Sequence, residues 1–486
     1  MFYPSLKEVQ KLARSGDFKT APISMDLLSD LKTPIEVLRI LKNVSSHCYM
    51  LESVIDNEKW GRYTFLGYDP KMEITCLDGE MKIGDKTLRT SQPEKYIRQV
   101  LKDYKSASIP GLPSFTGGLV GYFSYDYLKY GQSDLRLDAL DREGFMDLDL
   151  MLFDKVIAFD NFKQKIILIV NIFLNDYESE YERAKKDLLK MADLICKGQA
   201  KVEKAGRLKS KIIPLFDRDR YIGMVRQALD HIKRGDISQI VLSNRFEAKY
   251  EGSLLNCYRI LRSINPSPYM FYFYSPDMEV AGASPETLVR LEAGVLHTFP
   301  LAGTRPRGQT EEEDKRLEAE LLADPKELAE HDMLVDLSQY DLEKICTSGS
   351  VVVEKYHSIE RYSHVMHIGS TVRGDLAEGR DALDAIGAIL PAGTLSGMPK
   401  LKSCQLINDI ENNKRGIYGG AIGYLDFTGN MDTCIAIRIA YKKNNKVFVR
   451  SGAGIVAGSL PEREHEECLN KARALIKALE LADQLG

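Results

Sequence analysis

Several absences narrow the reading of this chain before any motif is considered. There is no strong excess of either charge: 66 Lys and Arg stand against 70 Asp and Glu, a formal net charge of −4 over 486 residues. That balance excludes a generic polyanion binder, whose affinity rests on basic charge facing phosphates. No two of the eight cysteines form a CxxC pair, so neither a structural zinc site nor a disulfide scaffold is expected. Reduced thiols and a cytoplasmic chain are the expectation. No basic segment followed by an apolar run opens the sequence, so no signal peptide is visible. The most apolar stretch, Ile166 to Leu174, is interrupted by Asn171 and falls well short of the ~20 residues a membrane helix needs. Neither an internal repeat nor a GxSxG nucleophile turn is present, and no cysteine sits in a GxCxG-like turn.

What is present describes a globular protein with a sizeable core: apolar residues make up 44% and charged residues 28%. The length allows about three domains of ordinary size. Residues 1–196 mix strand and helix patterns. Lys155-Val-Ile-Ala-Phe, a polar turn at Asp160 and Ile166-Ile-Leu-Ile-Val read as a hairpin, followed by a helix carrying Tyr181, Ala184, Leu188 and Ala192 on one face. Residues 197–211 hold six cations and one acid, Glu203, and read as a solvated basic linker. Residues 212–486 open with a helix near Asp217 whose stripe is Tyr221, Met224, Val225, Ala228, Leu229 and Ile232. Strands are expected at Ile240–Leu242, Phe271–Tyr274, Val280, Val351–Val353, Ile417–Tyr424 and Lys446–Arg450.

Two helix starts carry matching carboxylates. Asp324-Pro-Lys-Glu327 and Ser459-Leu-Pro-Glu462 both offer a cap, a proline for the first turn and a glutamate placed to close a capping box. Each helix then holds two glutamates three apart, Glu327/Glu330 and Glu464/Glu467, which share a helical face. Four oxygen donors of this kind suit Mg²⁺. They also suit a helix N-terminus facing water, and spacing alone leaves both open. Glu462 and Glu466 suit capping and solvent. Of two glycine-rich segments, Gly416–Gly423 reads as a close backbone approach or a bulged strand, and Arg450–Ser459, between a strand and a helix, as a turn that is either merely tight or exposes N–H groups able to hold an anion. Ser363-His364-Val-Met-His367 has a spacing of three and lacks the glutamate of a metalloprotease helix, so a metal pair is not expected there.

Taken in order, Gly235–Ser243, Ser284-Pro-Glu286, Pro300–Arg305, Glu330-His331, Val365-Met-His367, Gly393–Lys400, Ala436-Ile-Arg438 and the Gly-Ala-Gly segment resemble the chorismate-utilising enzymes, most closely their anthranilate-forming members. The resemblance spans about residues 20 to 480. It implies an α+β fold: a large, mostly antiparallel β-sandwich flanked by helices, with an interleaved N-terminal regulatory part and a catalytic part. Gln239 and Ala302 stand where other branches of the family carry lysines acting as general base and nucleophile. Neither residue can do those jobs, which points to direct attack of ammonia at C2.

The resemblance further implies Mg²⁺ held by Glu330 and Glu467 with Glu327 and Glu464 orienting its waters, Glu286 as general acid for the departing C4 hydroxyl, and His367 assisting loss of the C2 proton. Thr304 falls near the ammonia path. Tyr418, Arg438, Lys471, Gly452 and Gly454 would bind the substrate carboxylates, for which Arg is well shaped. Glu52 and Ser53, together with Pro268, Tyr269 and Met270, match an L-tryptophan inhibitor site. A separate glutamine amidotransferase subunit would supply ammonia, and no nucleic acid or membrane partner is implied. An aminodeoxychorismate-forming enzyme and a non-enzymatic anion-binding module are the alternatives. The chain departs from the family pattern at Gln339-Tyr340-Asp341 and at Met398.

Overall fold

The computed structural model describes residues 2–53, 61–132, 135–362 and 365–485. His364 lies outside them. No helix among the described residues is long and apolar enough to cross a membrane.

Apolar runs become strands buried on both faces. In the strand Lys165–Phe173, Ile166, Leu168, Val170 and Ile172 pack beneath helices, while Ile167 and Ile169 point the other way into a layer between two sheets. Asn171 is tolerated there because its amide donates to the carbonyls of Thr116, at 2.7 Å, and Asp154, at 3.2 Å. The strand pairs with Lys155–Asp160 as the expected hairpin.

Two large antiparallel sheets result, of 14 and 12 strands among the described residues. In the first, Cys48–Glu52 pairs with Tyr269–Tyr274, so that Glu52 lies opposite Met270. In the second, Gly118–Phe123 pairs with Ala421–Asp426. Each sheet thus contains strands from both before and after residues 197–211, and the segment itself contributes Arg207–Leu208 as a short edge strand. The layer between the sheets is aromatic, with Tyr49, Phe65, Phe115, Phe153, Phe271 and Tyr424 among its members. Helices cover the outer faces, including Tyr177–Lys197 and Arg218–Lys233 on the first sheet, each with its expected stripe turned inward.

Three local expectations are corrected. The glycine-rich segment at 450–459 is not one turn: Gly452 and Gly454 lie within the strand Lys446–Ile455, opposite Ser243 and Val241. Gly452 is there because a Cβ would stand 2.5 Å from the Leu242 carbonyl oxygen. The strand expected from Ile417 begins only at Ala421, because positive φ at Gly416 and Gly419 folds the preceding residues into a turn. Ser459 does not cap the last helix, which starts after Leu460; its hydroxyl instead accepts the Val456 N–H at 3.1 Å.

Candidate active site

Two of the points at which the chain passes between the sheets are neighbours, and both carry charge. Pro285-Glu286 links Glu279–Ser284 of the first sheet to Thr287–Glu292 of the second. Ala436–Arg438 links Met431–Ile435 of the second to Ile439–Lys443 of the first. The crossovers are stitched together: Ile435 N–H donates to Glu286 O at 3.0 Å, and Ala283 N–H to Arg438 O at 3.1 Å. Arg438 holds φ 53°, an unfavourable setting for a side-chain-bearing residue and one that recurs at functional sites.

Two helices bring the carboxylates. Pro325–Glu343 packs on strands Leu301–Pro306 and Val365–Asp375 of the second sheet, and Pro461–Leu481 packs on Lys446–Ile455 of the first. Asp324 caps the former by accepting from the N–H groups of Lys326 and Glu327. Glu327 does not close a capping box; it lies 3.8 Å from Arg305, which also donates to Asp324 at 2.8 Å.

The four glutamates, Glu286, His367, Arg438, Tyr418 and Lys471 lie within electrostatic reach of one another. Burial, and then repulsion from Glu327 and Glu467, raises the Glu330 carboxyl above its ordinary range. Burial also raises Glu464, with Glu467 adding to the effect and the Ser459 hydroxyl opposing it. One carboxylate oxygen of Glu464 is buried without a hydrogen-bond partner. Lys471 pairs with Glu467 at 2.7 Å. Glu462 and Glu466 are exposed, the former 3.7 Å from Arg226.

Glu286 is lifted by burial to about 7; the hydroxyl of Thr394, which donates to it at 3.0 Å, and the charges of Lys471 and Arg438 keep it from rising further. Arg438 is pushed down by burial and supported by Tyr418, Glu467 and Glu286. His367 is pushed down by burial and by Arg438. Its Nδ1 stands 3.0 Å from Gly303 O and 3.1 Å from Thr304 Oγ1. A carbonyl can only accept, so Nδ1 carries the proton and Nε2 is the basic nitrogen. Tyr418 is buried beside Arg415, and Thr304 is exposed.

Among the described residues, no three His, Cys, Asp or Glu side chains are gathered closely enough to hold a metal unaided. Mg²⁺ does not require that, since it binds through one or two carboxylates and keeps waters. Glutamates raised by burial and then by their neighbours' like charge, one with an unsatisfied oxygen, fit such a cation.

A second region adjoins these groups, its lining including Pro285 and Thr287 on either side of Glu286. A cavity of about 1010 Å³ is lined by Glu52, Ser53, Pro268, Tyr269 and Met270, all five predicted inhibitor residues. Glu52 accepts from Arg262 at 2.5 and 2.9 Å and from the Tyr258 hydroxyl at 2.5 Å; the Tyr269 hydroxyl donates to Asp432 at 2.8 Å.

Sequence reasoning assigned no role to Thr394 or Arg305, although both stand in the motifs it quoted. It also missed the packing roles of His331 and Ser370. In the departing segment, Asp341 is buried and paired with Lys400 at 2.5 Å and Lys344 at 2.8 Å, while Tyr340 is exposed.

Comparison with known proteins agrees with this arrangement. The family model for chorismate binding enzymes matches residues 7–477. Anthranilate synthase component 1 of Aquifex aeolicus is 44% identical, over 99% of this chain and 98% of that one. The protein of the same name from Acetivibrio thermocellus is 42% identical over the whole of both. The crystal structure of anthranilate synthase component I from Streptococcus pneumoniae superposes with a TM-score of 0.78 at 35% identity, covering 92% of this chain and 98% of that one. The chain belongs to the chorismate binding enzyme family.

Proposed function

We propose that the chain converts chorismate and ammonia into anthranilate, pyruvate and water, as the large component of an anthranilate synthase. The observation that carries this reading is the meeting, at the sheet crossovers, of a carboxyl raised to about 7, a neutral histidine and a buried arginine beside two glutamate pairs. Perturbed groups converging in one cleft are the physical mark of a catalytic site.

Mg²⁺ would be held by Glu330 and Glu467, with Glu327 and Glu464 near its waters. When bound, it supplies positive charge to a substrate carboxylate. Arg438, Lys471 and Tyr418, with the backbone at Gly452 and Gly454, bind and orient the substrate's carboxylates. Glu286, raised to about 7, is about half protonated at neutral pH and gives its proton to the C4 hydroxyl as ammonia adds at C2. His367 Nε2 then takes the C2 proton. The enolpyruvyl C–O bond breaks, the departing enolate takes a proton at its methylene carbon and leaves as pyruvate, and the ring becomes aromatic. Gly303 O and Thr304 hold the ring of His367 for that step.

Ammonia comes from a separate glutamine amidotransferase subunit. Residues 1–196 form the regulatory region, 197–211 the link and 212–486 the catalytic region, with L-tryptophan bound in the large cavity. The cytoplasm is the proposed location.

Incubation with chorismate, ammonium and Mg²⁺ tests the reading by following anthranilate fluorescence and pyruvate together. Both should appear, excess EDTA and Glu467→Gln should abolish them, and His367→Ala should accumulate the aminated intermediate. Pyruvate-free formation of aminodeoxychorismate would reject it. Millimolar L-tryptophan, an affinity of roughly −4 kcal/mol, should inhibit; full activity in its presence would reject the inhibitor site.

A further inference from the structure

Three consecutive residues of the helix Pro325–Glu343 engage three different neighbours. Glu330 feels the charge of Glu327 on its own helix and of Glu467 on the helix Pro461–Leu481. His331 is fully buried, and its Nε2 stands 2.7 Å from Ser370 Oγ, on the strand that carries His367. The Asp332 carboxylate accepts from His357 Nε2 at 2.6 Å and from the Tyr356 hydroxyl at 2.5 Å, both on the adjoining strand Val352–Arg361. The backbone N–H of His357 donates to Ser370 Oγ at 3.2 Å. Ser370 Oγ thus accepts from the neighbouring strand and is also hydrogen-bonded to His331 Nε2, whose other ring nitrogen is buried without a partner.

We propose that His331, through its bond to Ser370, is a positioning residue that fixes the spacing between the carboxylate helix and the His367 strand. The inference rests on the reading of Glu330 as a cation ligand and His367 as the proton acceptor. The physical need is specific. Glu330 is repelled by Glu467 of the helix Pro461–Leu481, which works to push the two helices apart, while Glu327 on its own helix adds no such force. On the cleft side of the helix start, Arg305 ties Asp324 to the neighbouring strand. Farther along, the side-chain bond from His331 is the tie that meets the strand of His367 directly. Misplacement of reacting groups by about 1 Å can cost on the order of 10²-fold in rate. Loss of a partner that orients a ligand typically costs roughly 10–100-fold.

The test compares Ser370→Ala, His331→Leu, the double variant and His331→Gln, whose amide can reach the position of Nε2. Steady-state rates are measured with ammonium and saturating Mg²⁺, alongside thermal midpoints. Ser370→Ala and His331→Leu should each lower kcat by roughly 10–100-fold with the KM for chorismate changed less than about threefold. The double variant should be no slower than His331→Leu, because both remove one interaction. His331→Gln should recover most of the rate. A purely structural role would lower the thermal midpoint and leave kcat intact. Unchanged kcat in Ser370→Ala, or losses that multiply in the double variant, would overturn the proposal. A wild-type chain forming no anthranilate under these conditions would overturn the functional reading and this inference together, whereas an active wild type with unaffected variants overturns this inference alone.

Discussion

Two clusters of charge in this molecule are built on opposite terms. Around Glu411, every group is answered. Its carboxylate accepts from Ser243 N–H and Oγ, from Arg415 at 2.6 and 3.1 Å and from Arg450 at 2.7 Å. Arg415 also donates to the carbonyls of Leu395 and Val241, and Arg450 to Asn413 and Lys414. Burial alone would raise Glu411, but the two guanidiniums hold it below its ordinary range. In the cleft the sign is reversed: Glu286, Glu330 and Glu464 are all raised, and one Glu464 oxygen has no partner. A self-satisfied network stabilises the fold. A cluster left short of positive charge is ready for a cation and a substrate, at a cost in stability.

Substitutions sharpen the contrast. Glu411→Gln leaves two buried guanidiniums without a counter-charge and should cost about 3–5 kcal/mol, read from urea unfolding. A loss below 1 kcal/mol would show that the network contributes little. Glu286→Gln should lower kcat by roughly 10²–10⁴-fold while preserving the fold. Its folded pKa is raised, so the native chain binds the extra proton between 4.5 and about 7. Wild-type stability should therefore fall relative to Glu286→Gln as pH rises through that window. A constant difference would refute the assignment, and kcat/KM should decline above about pH 7.

Glu330→Gln should act opposite to Glu411→Gln, raising ion-free stability by about 0.5–1 kcal/mol through relief of repulsion. The same change should shrink the stabilisation gained from added Mg²⁺, which thermal melts with and without the ion would measure. Destabilisation of the ion-free chain would break the comparison. The smallest effect belongs to the exposed pair Glu311–Lys315, 2.9 Å apart on one helix. Glu311→Gln should change stability by less than about 0.5 kcal/mol.

The hairpin at Lys155–Val170, the inward stripes of the helices after Asp176 and Asp217, and the Asp324 cap were legible from local pattern. Both carboxylate pairs were legible by spacing, though spacing could not choose between solvent and cation. Gly452 and Gly454 lie in a strand and not in the expected turn; a glycine such as Gly452, forced by a neighbouring carbonyl, looks the same in one dimension as a glycine forced by a bend. Ser459 was misread as a cap because the serine hydroxyl had a nearer donor in Val456.

By itself the sequence determined the elements, since side-chain period, caps and turn residues act over a few positions along the chain. It also determined which residue types were available to the chemistry. Only the tertiary structure decided that Glu286 and Arg438 lie on adjacent crossovers, that helices from two sheets face one another, and that His331 reaches Ser370. Those contacts join positions far apart in the chain, and their energies depend on burial, repulsion and unsatisfied partners that exist only once the two sheets have packed.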